Sequence, residues 1–167
     1  MKRLVLILIL VLLFGGVSNA QKVGYVNTQT ILTQIPDYAN AMQTLEKLSK
    51  QYQQYIDTEK GKIEEFYLRY QAERPKLNEA ERQKRERDII SMERNLQEKQ
   101  KEYFGEGGVM ASKSEQLLNP IRARVDNAIK KVAAKYGYSL VIDLSAVQGV
   151  VYNDGTLDVS MEVVGNL

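Results

Sequence analysis

The chain has 167 residues, with 23 lysines and arginines against 21 aspartates and glutamates, and it contains neither histidine nor cysteine. Those two absences exclude imidazole acid–base catalysis, thiol nucleophiles, a disulfide framework and most zinc sites. The composition therefore argues against an enzyme, and no metal or other cofactor is expected.

Lys2 and Arg3 precede an apolar run from Leu4 to Phe14, and Ser18-Asn19-Ala20 supplies small residues where a signal peptidase cuts. Residues 1–20 are expected to be a cleavable signal peptide, because a membrane span needs about twenty apolar residues and this run has about eleven. Its removal takes away Lys2 and Arg3 and no acid, so 21 basic residues remain against 21 acidic ones. The mature chain is neutral, but unevenly so. Arg122, Arg124, Lys130, Lys131 and Lys135 have only Asp126 among them, whereas Asp143, Asp154, Asp158 and Glu162 follow later, which suggests pairing between the two groups.

Residues 21–36 read as the first piece of a small body. Lys22 to Asn27 is a short strand with Val23 and Tyr25 on one face and Val26 on the other. Asn27 or Thr28 then caps a short helix that Pro36 closes, and Pro36 is equally suited to the first turn of the helix that follows.

Residues 37–111 form the arm. Tyr38, Ala41, Leu45, Leu48, Tyr52, Tyr55, Ile56, Ile63, Phe66 and Tyr70 recur at the spacing of one narrow helix face, with Tyr55 off its centre. From Asp37 to Arg74 such a helix would be roughly 57 Å long. Pro75 ends it, since proline has no N–H and its ring clashes with the preceding turn. Asn78 followed by Glu81 is a capping box that starts a second helix, so a hairpin is expected rather than one kinked rod. The second stripe begins only at Ile89 and continues through Met92, Leu96 and Tyr103, leaving the charged tip the least tightly packed part. Gly105, Gly107 and Gly108 then mark a break or hinge.

Residues 112–167 return to the body. Leu117, Leu118, Ile121, Val125, Ile129, Val132 and Tyr136 make a denser helical stripe, kinked at Pro120 and ended by Gly137 in the left-handed conformation. Ser139 to Leu144 and Gly149 to Tyr152 are predicted strands, apolar on both faces and so needing cover on both sides. Asn153-Asp154-Gly155 makes a turn, and Asp158 or Ser160 caps a last short helix from Met161 to Leu167. The body is small for one chain, which makes self-association the expected remedy.

The order of these parts, with a strand ending Val26-Asn27, then Leu117-Leu118-Asn119-Pro120-Ile121, Ile129-Lys130-Lys131-Val132-Ala133, Tyr138-Ser139-Leu140-Val141-Ile142-Asp143 and Leu157-Asp158-Val159-Ser160, resembles the Skp/OmpH family of periplasmic chaperones across the mature chain. The resemblance implies an α+β fold in which a long antiparallel helical hairpin projects from a small β body, three copies forming a jellyfish-like homotrimer. It implies a periplasmic, ATP-independent holdase whose partners are unfolded outer-membrane β-barrel proteins, with transient contact to anionic lipid or lipopolysaccharide and none to nucleic acid. The neutral mature charge departs from the strongly basic members of that family.

The candidate sites follow from this frame. Tyr55, Phe66, Tyr67 and Tyr70 on the arm are candidate client-binding residues, with packing as the competing role for Phe66 and Tyr70. Arg74, Lys76, Arg82, Lys84, Arg85 and Arg87 at the tip are candidate contacts for anionic lipid or client. Val23, Tyr25, Leu140, Ile142, Val150 and Tyr152 are candidate oligomer contacts. The rival reading is an envelope coiled-coil adaptor with one fixed partner; the irregular stripe, interrupted at Glu59 and Lys62, speaks against it.

Overall fold

The structure, a computed structural model, describes residues 21–167, so the expected signal peptide lies outside the described residues. Strand β1 (Lys22–Val26) leads into helix α1 (Thr28–Thr33), then α2 (Pro36–Glu73), a 3₁₀ turn (Arg74–Lys76), α3 (Glu79–Phe104), α4 (Val109–Tyr136), β2 (Tyr138–Asp143) and α5 (Ser160–Val164). Two compact units are built from these. Gln29–Asn127 holds the hairpin, while residues 21–28 with Ala128–Leu167 hold the sheet.

Within the hairpin unit, Pro36 occupies the first turn of α2, where its missing N–H leaves no bond unmade. At the far end the backbone N–H of Arg74 still bonds to Tyr70 O, and the chain tightens into the 3₁₀ turn around Pro75. Asn78 then closes the expected capping box. Its side chain accepts from Glu81 N at 3.0 Å, and Glu81 accepts from Asn78 N at 2.9 Å. Helices of 38 and 26 residues are about 57 and 39 Å long, and they pack antiparallel along Ile56 and Tyr70 against a seam that includes Ile89; α3 ends opposite Tyr52, so the buried Ala41 and Leu45 lie beyond it. Only these few side chains are fully buried, because Glu59 and Lys99 take positions on the seam itself.

The glycine cluster is a tightly built turn. Gly105 ends α3, its N–H bonding Lys101 O at 2.8 Å, and Gly107 takes φ +68°, which L residues rarely adopt. A Cβ on Gly105 would fall on the carbonyl oxygen of Lys101, and one on Gly108 would come within 2.7 Å of Glu102 O. Helix α4 starts at Val109, three residues before the expected Ser112, and runs unbroken through Pro120.

Within the sheet unit, β1 and β2 are parallel, pairing Val23 with Leu140, Gly24 with Val141, Tyr25 with Ile142 and Val26 with Asp143. Gly137 ends α4 at φ +70°, as expected. One predicted strand is absent: 149–152 pairs with nothing, and 147–152 makes no backbone hydrogen bond among the described residues. The other edge of β1 is instead occupied by the chain around Asp158, through Tyr25 N to Leu157 O and Val159 N to Tyr25 O, both 2.9 Å. A strand needs a partner edge, and 149–152 does not take the one that β2 leaves open.

Candidate functional site

Two surfaces carry the candidate residues, one in each unit. On the hairpin, the upper seam is aromatic: the Tyr52 and Tyr103 rings stack at 4.1 Å, and Tyr55 meets Tyr103 edge-on at 5.8 Å. Tyr55 remains exposed on one side and borders an open recess with Glu59, Ile63, Met92 and Leu96. Tyr67 is freer, 46 % exposed, and lines a shallow groove with Ile63, Ile90 and Leu96.

Two aromatic candidates are less exposed. Tyr70 is only 5 % exposed, and its hydroxyl donates to Glu86, which raises it above the usual tyrosine range. Phe66 is half-buried, with the Arg85 guanidinium 5.4 Å from its ring centroid. Both meet α3 where its apolar stripe has not yet begun, which is the packing role weighed for them above, and Phe66 keeps part of its side chain accessible.

Sequence reasoning missed Leu68 and Ile90, which are 60 % and 63 % exposed. A signal was present. Neighbouring apolar residues on a helix lie about 100° apart, so in the pairs Tyr67-Leu68 and Ile89-Ile90 at least one member must fall off a narrow seam. The hairpin thus carries isolated apolar side chains in a field of charge, much of it paired within one helix, as in Glu59–Lys62 and Glu65–Arg69.

The tip divides. Arg85 bonds Glu73 at 3.4 Å across the hairpin, and Arg82 lies half-buried 3.9 Å from Glu79. Both are engaged within the hairpin, and each keeps part of its side chain exposed. Arg74, Lys76, Lys84 and Arg87 are exposed and make no ion pair among the described residues.

In the sheet unit, the register places Val23, Tyr25, Leu140 and Ile142 on one face of the sheet, because paired residues point the same way. Val23, Tyr25, Ile142, Val150 and Tyr152 together line an apolar recess with Leu144 and Leu157. Five of the six candidate oligomer residues are thereby brought together, and the sixth, Leu140, shares their sheet face. Val151 beside them is 98 % exposed.

The opposite, buried face ends in two hydroxyl–carboxylate clusters. Asp143 accepts from Thr28 N (3.1 Å), Thr28 Oγ1 (2.6 Å), Ser145 N (2.9 Å) and Ser145 Oγ (2.8 Å). Burial pushes its carboxyl up, but these bonds outweigh that effect and hold it below the usual range. Asp143 therefore takes the first N–H of α1. Asp158 accepts from Ser160 N and Oγ, and Ser160 Oγ in turn accepts from Asn27 N at 2.9 Å. The expected pairing of these acids with the basic residues of α4 is absent: among the described residues Arg124 pairs with Asp37, and Asp143 and Asp158 are held by hydroxyls and amides. No described group of acidic residues is arranged to hold a metal ion, and no described helix is long and apolar enough to cross a membrane.

A long, sparsely apolar helical hairpin joined in sequence to a small two-stranded sheet defines an α+β protein of the helical-arm type. The OmpH-like outer membrane protein profile matches residues 22–167, and the chain belongs to that family. It is 26 % identical over 150 residues to a protein named Chaperone protein Skp from Pectobacterium atrosepticum, covering 89 % of each chain. It is 24 % identical over 146 residues to a protein of the same name from Yersinia enterocolitica, covering 87 % of this chain and 85 % of that one. Its fold is similar to a crystal structure described as an OmpH-like outer membrane chaperone from Caulobacter crescentus, with a TM-score of 0.67 over 91 % of this chain and 88 % of the other at 13 % identity.

Proposed function

We propose that this protein is an ATP-independent periplasmic holdase, which binds unfolded outer-membrane β-barrel proteins and keeps them from aggregating. The observation that carries the reading is the wall of the hairpin, where Tyr55, Tyr67, Leu68 and Ile90 are exposed among charged residues, Tyr67 and Ile90 along one shallow groove. An unfolded barrel strand alternates apolar and polar side chains and aggregates through unpaired edges. Sparse apolar contacts hold such a chain weakly at many points, and the cations Arg74, Lys76, Lys84 and Arg87 meet its acidic loops. Release then needs no fuel. A binder of the unfolded state only shifts an equilibrium that folding in the membrane draws back.

The test is dilution of a urea-unfolded outer-membrane protein into buffer with and without the chaperone. Suppressed turbidity is expected, and Tyr67→Ser with Ile90→Ser is expected to weaken suppression without changing helix content. Turbidity indifferent to an excess of the chaperone would refute the reading.

The working form in this reading is a homotrimer. Its support is the free edge of β2, the apolar recess around Tyr25 and Ile142, and an unpaired apolar segment at 147–152. Val150 is 49 % exposed within one chain, so a charge there costs at most about 0.5 kcal/mol unless another copy covers it. Light scattering of Val150→Asp is therefore diagnostic. Dissociation with retained helicity supports association through this face, and an unchanged mass refutes it.

A further inference from the structure

Strand β1 is held from its first residue. Lys22 stands in register with Tyr138, its carbonyl accepts from Ser139 Oγ at 3.1 Å, and its ammonium donates to Tyr136 O at 3.1 Å while lying 4.3 Å from the Tyr138 ring centroid. Farther along, β1 is bonded on both edges, to β2 on one side and through Tyr25 to Leu157 and Val159 on the other. It is the central stretch of the sheet unit. Gln21 differs: it precedes the strand, is exposed, and makes no hydrogen bond among the described residues.

Removal of residues 1–20, the expected signal peptide on which this inference rests, makes Gln21 the first residue of the mature chain. An N-terminal glutamine carries its own electrophile. Its α-amine, with an ordinary pKa of about 7.7–8.0, is in part uncharged at neutral pH and so nucleophilic. The side-chain carbon Cδ stands at the spacing that closes an unstrained γ-lactam when the amine attacks it. The N–Cδ bond forms as the Cδ–Nε2 bond breaks, and the proton given up by the amine leaves with the amide nitrogen as ammonia. No oxidant, reductant or cofactor is consumed. Closure requires the side chain to swing back over its own nitrogen, a rotamer change that packing would oppose and that an exposed, unbonded side chain allows.

We propose that Gln21 is a modification site at which the mature chain caps itself as pyroglutamate, sealing the exposed end of β1 against aminopeptidases. Those enzymes require a free α-amine, and the lactam has none. The ring also removes the terminal positive charge beside Lys22. The residue lost to trimming would otherwise be the last one before the paired strand, because Lys22 is already anchored by its carbonyl and its ammonium. The proposal is independent of client binding, which rests on the hairpin.

Export of the full chain in a bacterium, incubation of the purified protein at neutral pH and mass spectrometry test it, first on the intact protein and then on the N-terminal peptide released by cleavage before Asp37. A peptide of residues 21–36, lighter than its sequence by one ammonia, is expected, with the same deficit in the intact protein. Gln21→Ala is expected to be processed at the same bond and to keep its full mass, circular dichroism and turbidity suppression. It is expected to lose its first residue to an aminopeptidase that leaves the parent intact. A peptide beginning at another residue would refute removal of residues 1–20, and the proposal with it. Residues 21–36 at full mass would leave that removal standing and overturn the proposal alone, as would a Gln21→Ala variant as resistant to the aminopeptidase as the parent.

Discussion

Removing the carboxylate of Asp143 tests how the sheet unit is held together. In Asp143→Ala four hydrogen bonds disappear, and the half-buried amide of Thr28 and the exposed amide of Ser145 lose their acceptor. A net hydrogen bond contributes about 1 kcal/mol and a buried unmatched donor costs about 1–3 kcal/mol. Water reaches part of this site, so a loss of about 2–3 kcal/mol is expected. Asp143→Asn keeps one acceptor oxygen for the two amides, and the Thr28 hydroxyl can reverse its role, so about 1 kcal/mol is expected there. Urea unfolding at fixed protomer concentration, with hydrogen exchange at the Thr28 and Ser145 amides, measures both effects. The folded pKa of Asp143 lies below its unfolded value. Its contribution is therefore complete above the unfolded carboxylate pKa, about 4, and is lost as pH falls through the folded value. The difference between parent and Asp143→Asn should shrink over that acid window and stay constant above it. Alanine and asparagine variants of equal stability, both within about 0.5 kcal/mol of the parent, would refute the argument.

Three further outcomes are expected. Gly108→Ala drives a methyl to within 2.7 Å of Glu102 O, so the α3–α4 turn must shift, and hydrogen exchange should rise at residues 101–112; an unchanged pattern would mean the turn is free to adapt. Ile56→Ala, at a side chain only 2 % exposed in the hairpin seam, should cost about 3 kcal/mol by urea unfolding, whereas Tyr67→Ala should cost under about 1 kcal/mol. Tyr70→Phe combined with Glu86→Gln should give a coupling of about 1 kcal/mol in a double-mutant cycle, and additivity would remove their bond from the account of the tip.

The parts legible in advance were local. Asn78 and Glu81 meet because they are three residues apart at a helix start, Pro75 must end α2, and Gly137 takes the left-handed turn at the end of α4. The buried stripe of the hairpin unit follows from helical periodicity, which is why Ala41, Leu45, Ile56, Tyr70 and Ile89 are buried as the pattern requires. The division of the candidate site was less legible. Tyr70 and Tyr67 are three residues apart and chemically identical, but one turns into α3 to meet Glu86 while the other faces the groove beside Ile90. Likewise Arg85 and Arg87 differ only in that Glu73 and Phe66 stand opposite the first.

The sequence by itself determined the helices, their caps and breaks, and the resemblance to a chaperone family, because each depends on residues a few positions apart or on their order. Only the tertiary structure decided that β1 and β2 run parallel, that 149–152 finds no partner within one chain, and that Lys22 and Tyr138 share one end of the sheet while Asp143 closes the other. Lys22 and Tyr138 are more than a hundred residues apart along the chain, and no local pattern encodes the register that joins them.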